Sequence, residues 1–250
     1  MNKIAIVVNT VSKNSDLWEM FFKQLQLYSP SDIPIHVFVD PTDDEFPIDG
    51  LHIHHYDPKK LYKEQFVSCI SEVEEEFCIY ISEDYILYDE PMWDKVFEYR
   101  DFLQDNPHLS FIRFNKGGVV EIELPKYKGK FDLFQMSNVF PYFYTNQAAV
   151  WRTRDLDRIH VAGPNMHIAG TDFSQMFEPH ATKTCQELNI QGLHCYHGEP
   201  KRGRHHYDTN VFPHVATALV KGKWNMSEYP NELGPLIEEY KIDVSERGTR

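Results

Sequence analysis

Residues 3–8, KIAIVV, are mostly apolar and β-branched without alternation, the pattern of a central strand covered on both faces, and the run stops at Asn9 and Thr10. Trp18, Phe21, Phe22 and Leu25 then recur at helical spacing behind Ser15 and Asp16, either of which can cap a helix, so one stripe is expected to face a sheet. IPIHVFVD (33–40) predicts a second buried strand closing on Asp40, LHIHHY (51–56) a third, and residues 59–73 a helix with Leu61, Phe66 and Ile70 inward. FCIYIS (77–82) predicts a fourth strand that runs into Glu83 and Asp84. Pro91 suits a helix start, Trp93, Val96, Phe97 and Leu103 mark its inner face, and Asn106-Pro107 ends it. LSFIRF (109–114) predicts a fifth strand ending at Asn115. Strands and helices in alternation make the doubly wound α/β pattern.

After Asn115 the pattern changes. VVEIEL (119–124), FDLFQM (131–136) and QAAVW (147–151) alternate or run short between Gly117-Gly118, Pro125, Gly129 and Pro141, which predicts antiparallel strands and loops. A helix over 172–188, a strand IQGLHCYH (190–197), a polar basic loop, and helices near 212–220 and 231–240 follow. SERGTR (245–250) has nothing to bury and is expected to be mobile.

The 250 residues, 42% hydrophobic and 14% aromatic, suffice for one large core, so a single domain over 1–250 is expected. A formal net charge of −13 argues against a nucleic-acid surface or a general attraction to anionic membrane, both of which need clustered cations. A neutral, cationic or metal-bound ligand fits better. Cys69, Cys78, Cys185 and Cys195 form no CxxC pair and mostly sit in apolar segments, so they read as core thiols of a reducing compartment, without disulfides or structural zinc. The apolar run at the start is too short for a signal peptide or a membrane span, and a cytoplasmic, soluble protein is expected.

In an open α/β sheet, ligands bind beyond the carboxyl ends of the strands. Asn9, Asp40, Glu83 and Asp84 all fall at such ends. Two adjacent carboxylates there suit a hard divalent cation that keeps positions open for phosphate oxygens. The plainer alternative is that they terminate the strand and cap its turn.

In this company, EEEFCIYISED resembles the acidic-motif strand of the GT-A fold of nucleotide-sugar glycosyltransferases. IAIVVNT is similar to the family's first strand and nucleotide loop, HVFVD to its second strand with a nucleoside-contacting acid, and QAAVWRTRDL to its acceptor-side strand and helix. GTDFSQMF is similar to the place where inverting members put a catalytic carboxylate, and the segment from CYHGEPKRGRHHY onward resembles the C-terminal part of polysaccharide-building transferases of bacterial and viral type. The acidic motif departs from the family pattern, with Ser82 or Tyr85 standing where an Asp would be.

The resemblance implies one GT-A-like α/β domain with a Rossmann-like mixed central sheet flanked by helices and a helical C-terminal segment. Residues 1–115 would be its nucleotide-binding half and 116–244 its acceptor-side half, with 245–250 the tail. It implies a sugar moved from a nucleotide-diphosphate donor to a glycan or lipid-linked acceptor, with inversion and with Mn²⁺ or Mg²⁺. Asn9, Thr10, Asp40, Glu83 and Asp84 would contact the donor. Asp84 and His197 would hold the metal, with His194 packed. Lys201, Arg202 and Arg204 would meet the diphosphate, for which a solvated basic turn is the alternative. Asp172 would be the general base or merely a helix cap, with Glu178 in reserve. Tyr142 and Tyr144 could stack on an acceptor sugar, although most rings of FPYFYTNQAAVW are expected in the core. A sugar nucleotidyltransferase and an inactive nucleotide-sugar or carbohydrate-binding module are the competing functions. The first lacks its expected Gly-rich basic loop in NTVSKNSD.

Overall fold

A computed structural model describes residues 3–117, 126–127, 132–166, 173–203 and 206–250. Its centre is a mixed sheet of eight strands in the order β3-β2-β1-β4-β7-β5-β8-β6 among the described residues. The strands are β1 (Ile4–Asn9), β2 (Ile35–Val39), β3 (Leu51–His55), β4 (Phe77–Ser82), β5 (Phe111–Arg113), β6 (Leu133–Gln135), β7 (Ala149–Arg152) and β8 (Gly192–Cys195). β1 to β4 are parallel, β7 runs antiparallel between β4 and β5, and β6 runs antiparallel to β8 at the far edge. This is the mixed α/β, Rossmann-like sheet that the pattern and the family resemblance led one to expect.

The unbroken apolar runs of β1 and β4 have a direct cause. Ile4, Ile6 and Val8, with Phe77, Ile79 and Ile81, point into one core, while Ala5, Val7, Cys78 and Tyr80 point into a second core across the sheet. Helix α1 (Trp18–Tyr28) and helix α3 (Trp93–Asp105) cover the first face; α2 (Tyr62–Ile70), α4 (Thr153–Ala162) and α5 (Phe173–Glu187) cover the second. All four thiols are buried within these cores, and burial pushes those of Cys69 and Cys78 up to about 11 and about 12. Gly192 faces Phe111 in register, and any Cβ there would lie 2.2 Å from the phenyl ring.

Four expectations are corrected. Ser15 and Asp16 do not cap α1: a 3-10 turn, Ser12–Leu17, precedes it, and Asp16 pairs instead with Arg247. Residues 212–220 form no helix. Their apolar spacing serves an extended strap whose backbone bonds to the loop after β4, through Tyr88 N to Pro213 O (3.3 Å), Val215 N to Ile86 O (2.9 Å) and Ala218 N to Asp84 O (2.9 Å). The basic loop is partly a hairpin of β9 (Lys201–Arg202) and β10 (His206–Tyr207). A second hairpin, β11 (Leu219–Val220) with β12 (Lys223–Trp224), precedes α6 (Pro230–Glu239) and the short α7 (Val244–Arg247). The expectation of a mobile tail did not anticipate that Trp224 N donates to Gly248 O (3.0 Å) and Arg250 N to Trp224 O (2.9 Å). The segment VVEIEL lies outside the described residues.

Candidate active site

The chain runs from β1 outward to β2 and β3 and then returns to place β4 on the other side of β1. That reversal separates the loops leaving β1 and β4, and in such sheets the crevice between them takes the ligand. Asn9 sits at this point, in register with Phe38 on β2 and Ser82 on β4. Thr10 is buried beside it, and its hydroxyl accepts a bond from Trp18 Nε1 (2.9 Å) while its carbonyl accepts one from the Tyr56 hydroxyl (3.1 Å). Thr10 therefore fixes the floor of the crevice with its side chain. Asp40 stands at the end of β2, where Ser12 donates its N–H to Oδ1 (2.6 Å) and its hydroxyl to Oδ2 (2.6 Å).

The two acids after β4 are not loop decoration. Acids that only ended a strand would keep their charges in water, yet Glu83 is buried and Asp84 is half-buried. Burial pushes the Asp84 carboxyl up to about 8, and the neighbouring charge of Glu83 adds to the shift. Burial also lifts Glu83 to about 7, opposed by the bond that Asn14 Nδ2 donates to Oε1 (2.5 Å). Asp84 is held by Ala218 N–H on its carbonyl (2.9 Å) and by the Thr217 hydroxyl on Oδ2 (3.5 Å). The strap that replaces the expected helix thus forms one wall of the site.

A third carboxylate joins from α5. Glu178 Oε1 accepts the N–H of Asn146 (2.8 Å), and burial lifts its carboxyl to about 7 against the pull of Arg113. Its negative charge also raises Asp84, so the two share one electrostatic patch. Arg113, at the end of β5, is buried and donates to the carbonyls of Tyr142 (3.2 Å) and Phe143 (2.6 Å). Nothing singled it out except an Arg inside an apolar strand. Asn115 donates Nδ2 to Gln147 Oε1 (2.9 Å), and Gln147 donates Nε2 to Ala216 O (3.1 Å), tying the strap to β5 and β7.

The donor set fits a hard divalent cation in one respect: the charge of Glu83 raises the carboxyl of the adjacent Asp84, and positive charge beside the pair relieves that repulsion. Among the described residues no three His, Cys, Asp or Glu side chains are grouped to hold a metal ion, so phosphate oxygens and water would have to complete the shell. His197 is not brought to Asp84. β8 is separated from β4 by β7 and β5, on the order of 14 Å at about 4.8 Å per strand. Its ring lies instead against Asp132 (Nε2 to Oδ2, 3.5 Å) and Glu199 (Nδ1 to Oε1, 3.3 Å). His194 is packed as expected, buried and stacked on Phe134.

Other sequence assignments divide. Asp172 and Arg204 lie outside the described residues. Arg202 is engaged by Asp208 at both oxygens (3.1 Å each), by Glu232 (2.7 Å) and by the Glu228 carbonyl (3.0 Å), and it lies over the Tyr229 ring, so most of its donors are taken up within the fold. Lys201 is exposed on the same hairpin. Lys116, which no motif marked, sits just beyond β5 with Nζ 4.7 Å and 4.8 Å from the Tyr196 and Tyr207 ring centres. Tyr144 is fully buried among Trp151, His160 and Phe177, so it cannot stack on an acceptor. Tyr142 is 41% exposed and adopts φ 62°, a conformation disfavoured for a bulky residue, while Arg113 holds its carbonyl.

No family model and no curated protein matches the chain. Among solved structures it is similar to residues 1–349 of S. aureus TarS, with 12% identity and a TM-score of 0.49 over 99% of this chain and 66% of that one. It is similar to a longer S. aureus TarS structure at 13% identity and TM-score 0.48, covering 99% of this chain and 40% of that one. The mannosyltransferase PcManGT from Pyrobaculum calidifontis, in complex with GDP-Man and Mn²⁺, is similar at 14% identity and TM-score 0.46, over 81% of this chain and 58% of that one. The chain therefore spans less than two thirds of the length of these structures.

Proposed function

We propose that the protein is a glycosyltransferase that moves a sugar from a nucleotide-diphosphate donor to a glycan or lipid-linked acceptor, with inversion at the anomeric carbon. One observation carries the reading: Glu83 and Asp84 stand withdrawn from open water directly beyond the carboxyl end of β4, beside the reversal of strand order, where the charge of Glu178 on α5 also reaches Asp84. Asn9, Asp40 and Glu83 line the donor side. Asp84, with Glu83 beside it, would hold Mn²⁺ or Mg²⁺. When bound, that cation supplies positive charge to the departing diphosphate.

The acceptor hydroxyl attacks the anomeric carbon from the face opposite the diphosphate. A new carbon–oxygen bond forms, the bond to the diphosphate breaks, and the nucleoside diphosphate leaves with the electron pair. A base must take the hydroxyl proton. Glu178 suits this role because burial holds it near neutrality, where a base is both free and strong enough at pH 7. Asp172, the residue named by the family resemblance, is the competing base. Tyr142 is the aromatic residue offered to the acceptor, and Lys116 and Lys201 are the cations offered to phosphate. Among the described residues no helix is long and apolar enough to cross a membrane.

Incubation with a panel of nucleotide sugars, with and without Mn²⁺, tests the reading. Turnover supports it. Tight binding without transfer or hydrolysis would favour a binding module instead.

A further inference from the structure

Residues 244–250 are joined to Glu83 and to Asp84 by two separate chains of contacts. In the first, Arg247 grips Asp16 through Nε to Oδ2 (2.5 Å) and through Nη2 to Oδ1, and the same Nη2 donates to Asn14 Oδ1 (3.1 Å). Asn14 then donates Nδ2 to Glu83 Oε1 (2.5 Å). An asparagine amide has one accepting and one donating end. A guanidinium on the oxygen therefore leaves the NH₂ to face Glu83. Asn14 occupies the kink in the 3-10 turn, at φ −104° and ψ 21°, and its N–H bond to Val11 O (2.9 Å) holds the backbone but leaves the side-chain amide to be directed by its own partners. Arg247 does so from 233 residues away, with its side chain only 15% exposed.

The second chain is made of backbone. Gly248 O accepts from Trp224 N (3.0 Å), Asn225 N donates to Ala218 O (2.8 Å), and Ala218 N donates to Asp84 O (2.9 Å). Asn225 Nδ2 also reaches Thr217 O (3.2 Å), and the Thr217 hydroxyl contacts Asp84. Trp224, the pivot of this chain, is fully buried. The segment 11–17 is thus pinned at three points: Ser12 to Asp40, Asn14 to Glu83, and Asp16 to Arg247.

We infer that the segment 244–250 is a wall of the donor crevice and that Arg247 is a positioning residue, which sets Glu83 through Asn14 and closes the 11–17 rim over the nucleotide. The inference rests on the proposed donor reading for the identity of the ligand, but the positioning itself does not. Without Arg247, Asn14 can rotate, Glu83 loses its donor, and the rim opens.

The test uses the full chain with Arg247→Ala, Arg247→Lys and, as a control for general loosening, Asp243→Ala, which removes only the Asp243 cap on Ser245. Amide hydrogen exchange over residues 12–17 and 83–88 is followed, and UDP, GDP, dTDP and CMP are titrated with Mn²⁺ by calorimetry. Arg247→Ala should speed exchange in both stretches and weaken the best nucleotide by about tenfold, the loss expected for one charge-assisted contact. Arg247→Lys should recover part of both effects, and Asp243→Ala should produce neither. Unchanged exchange in Arg247→Ala overturns the inference. Faster exchange with unchanged nucleotide affinity overturns the crevice-wall role. If the native protein binds none of the four nucleotides, the donor reading fails and exchange alone decides the positioning claim.

Discussion

Replacing Arg202 by Ala separates a structural cation from a phosphate ligand. Its guanidinium satisfies both oxygens of Asp208, one of Glu232 and the Glu228 carbonyl, and its side chain is 24% exposed. Exposed ion pairs contribute at most about 1 kcal/mol, whereas breaking a buried pair costs about 3–5 kcal/mol because the partner charge is stranded. Arg202 lies between these limits, and two carboxylates would be stranded together. A loss of about 2–3 kcal/mol follows. At about 2–4 °C per kcal/mol for a chain of this size, the melting temperature should fall by about 5–10 °C. Scanning calorimetry reads the shift, and nucleotide titration below the transition should give the native affinity. An unchanged melting temperature together with lost nucleotide affinity would refute the reasoning and return Arg202 to the diphosphate.

Glu178→Gln should keep the fold and the donor affinity but lose about 10²- to 10⁴-fold in transfer rate, the range of a general base; Asp172→Asn, assayed alongside, should be nearly silent, and the reverse result would move the base to Asp172. The pH dependence has a definite sign. The folded-state pKa of Glu178, about 7, lies above its ordinary 4.5, so its contribution to stability is complete below about 4.5 and is lost as pH rises through about 7. In EDTA, Glu178→Gln should flatten the fall in stability across that window, and an unaltered slope would place the titration elsewhere. Tyr144→Ala should cost about 3–5 kcal/mol as a core truncation, whereas Tyr142→Ala should leave the melting temperature near native and raise the KM for acceptor; the opposite pattern in denaturation and kinetics would exchange their roles.

The central strands were legible because a parallel strand covered on both faces needs apolar side chains at every position, as Ile4 to Val8 and Phe77 to Ile81 show. Glu83 and Asp84 were legible for the complementary reason, since carboxylates directly after such a run must be placed at the sheet edge. Residues 212–220 misled because Phe212, Val215 and Ala216 recur as on a helix, while the backbone bonds that extend them come from residues 84–92. A local sign reversal exposed the charge of Arg202 but not Asp208 and Glu232, which consume it. Arg113 and Lys116 are single cations with no pattern around them. Their places depend on which strands adjoin. Asp16 looked like a cap because its partner is 231 residues away.

The most direct test of the account is the affinity of the best-bound nucleoside diphosphate for the native protein and for Asp84→Asn, each measured by calorimetry in Mn²⁺ and in EDTA. The account predicts that the native protein binds more tightly in Mn²⁺, that EDTA and Asp84→Asn each remove this gain, and that the variant melts no lower than the native protein, since a carboxyl raised to about 8 in the fold contributes nothing to folding when charged. Equal affinity in all four conditions would contradict it.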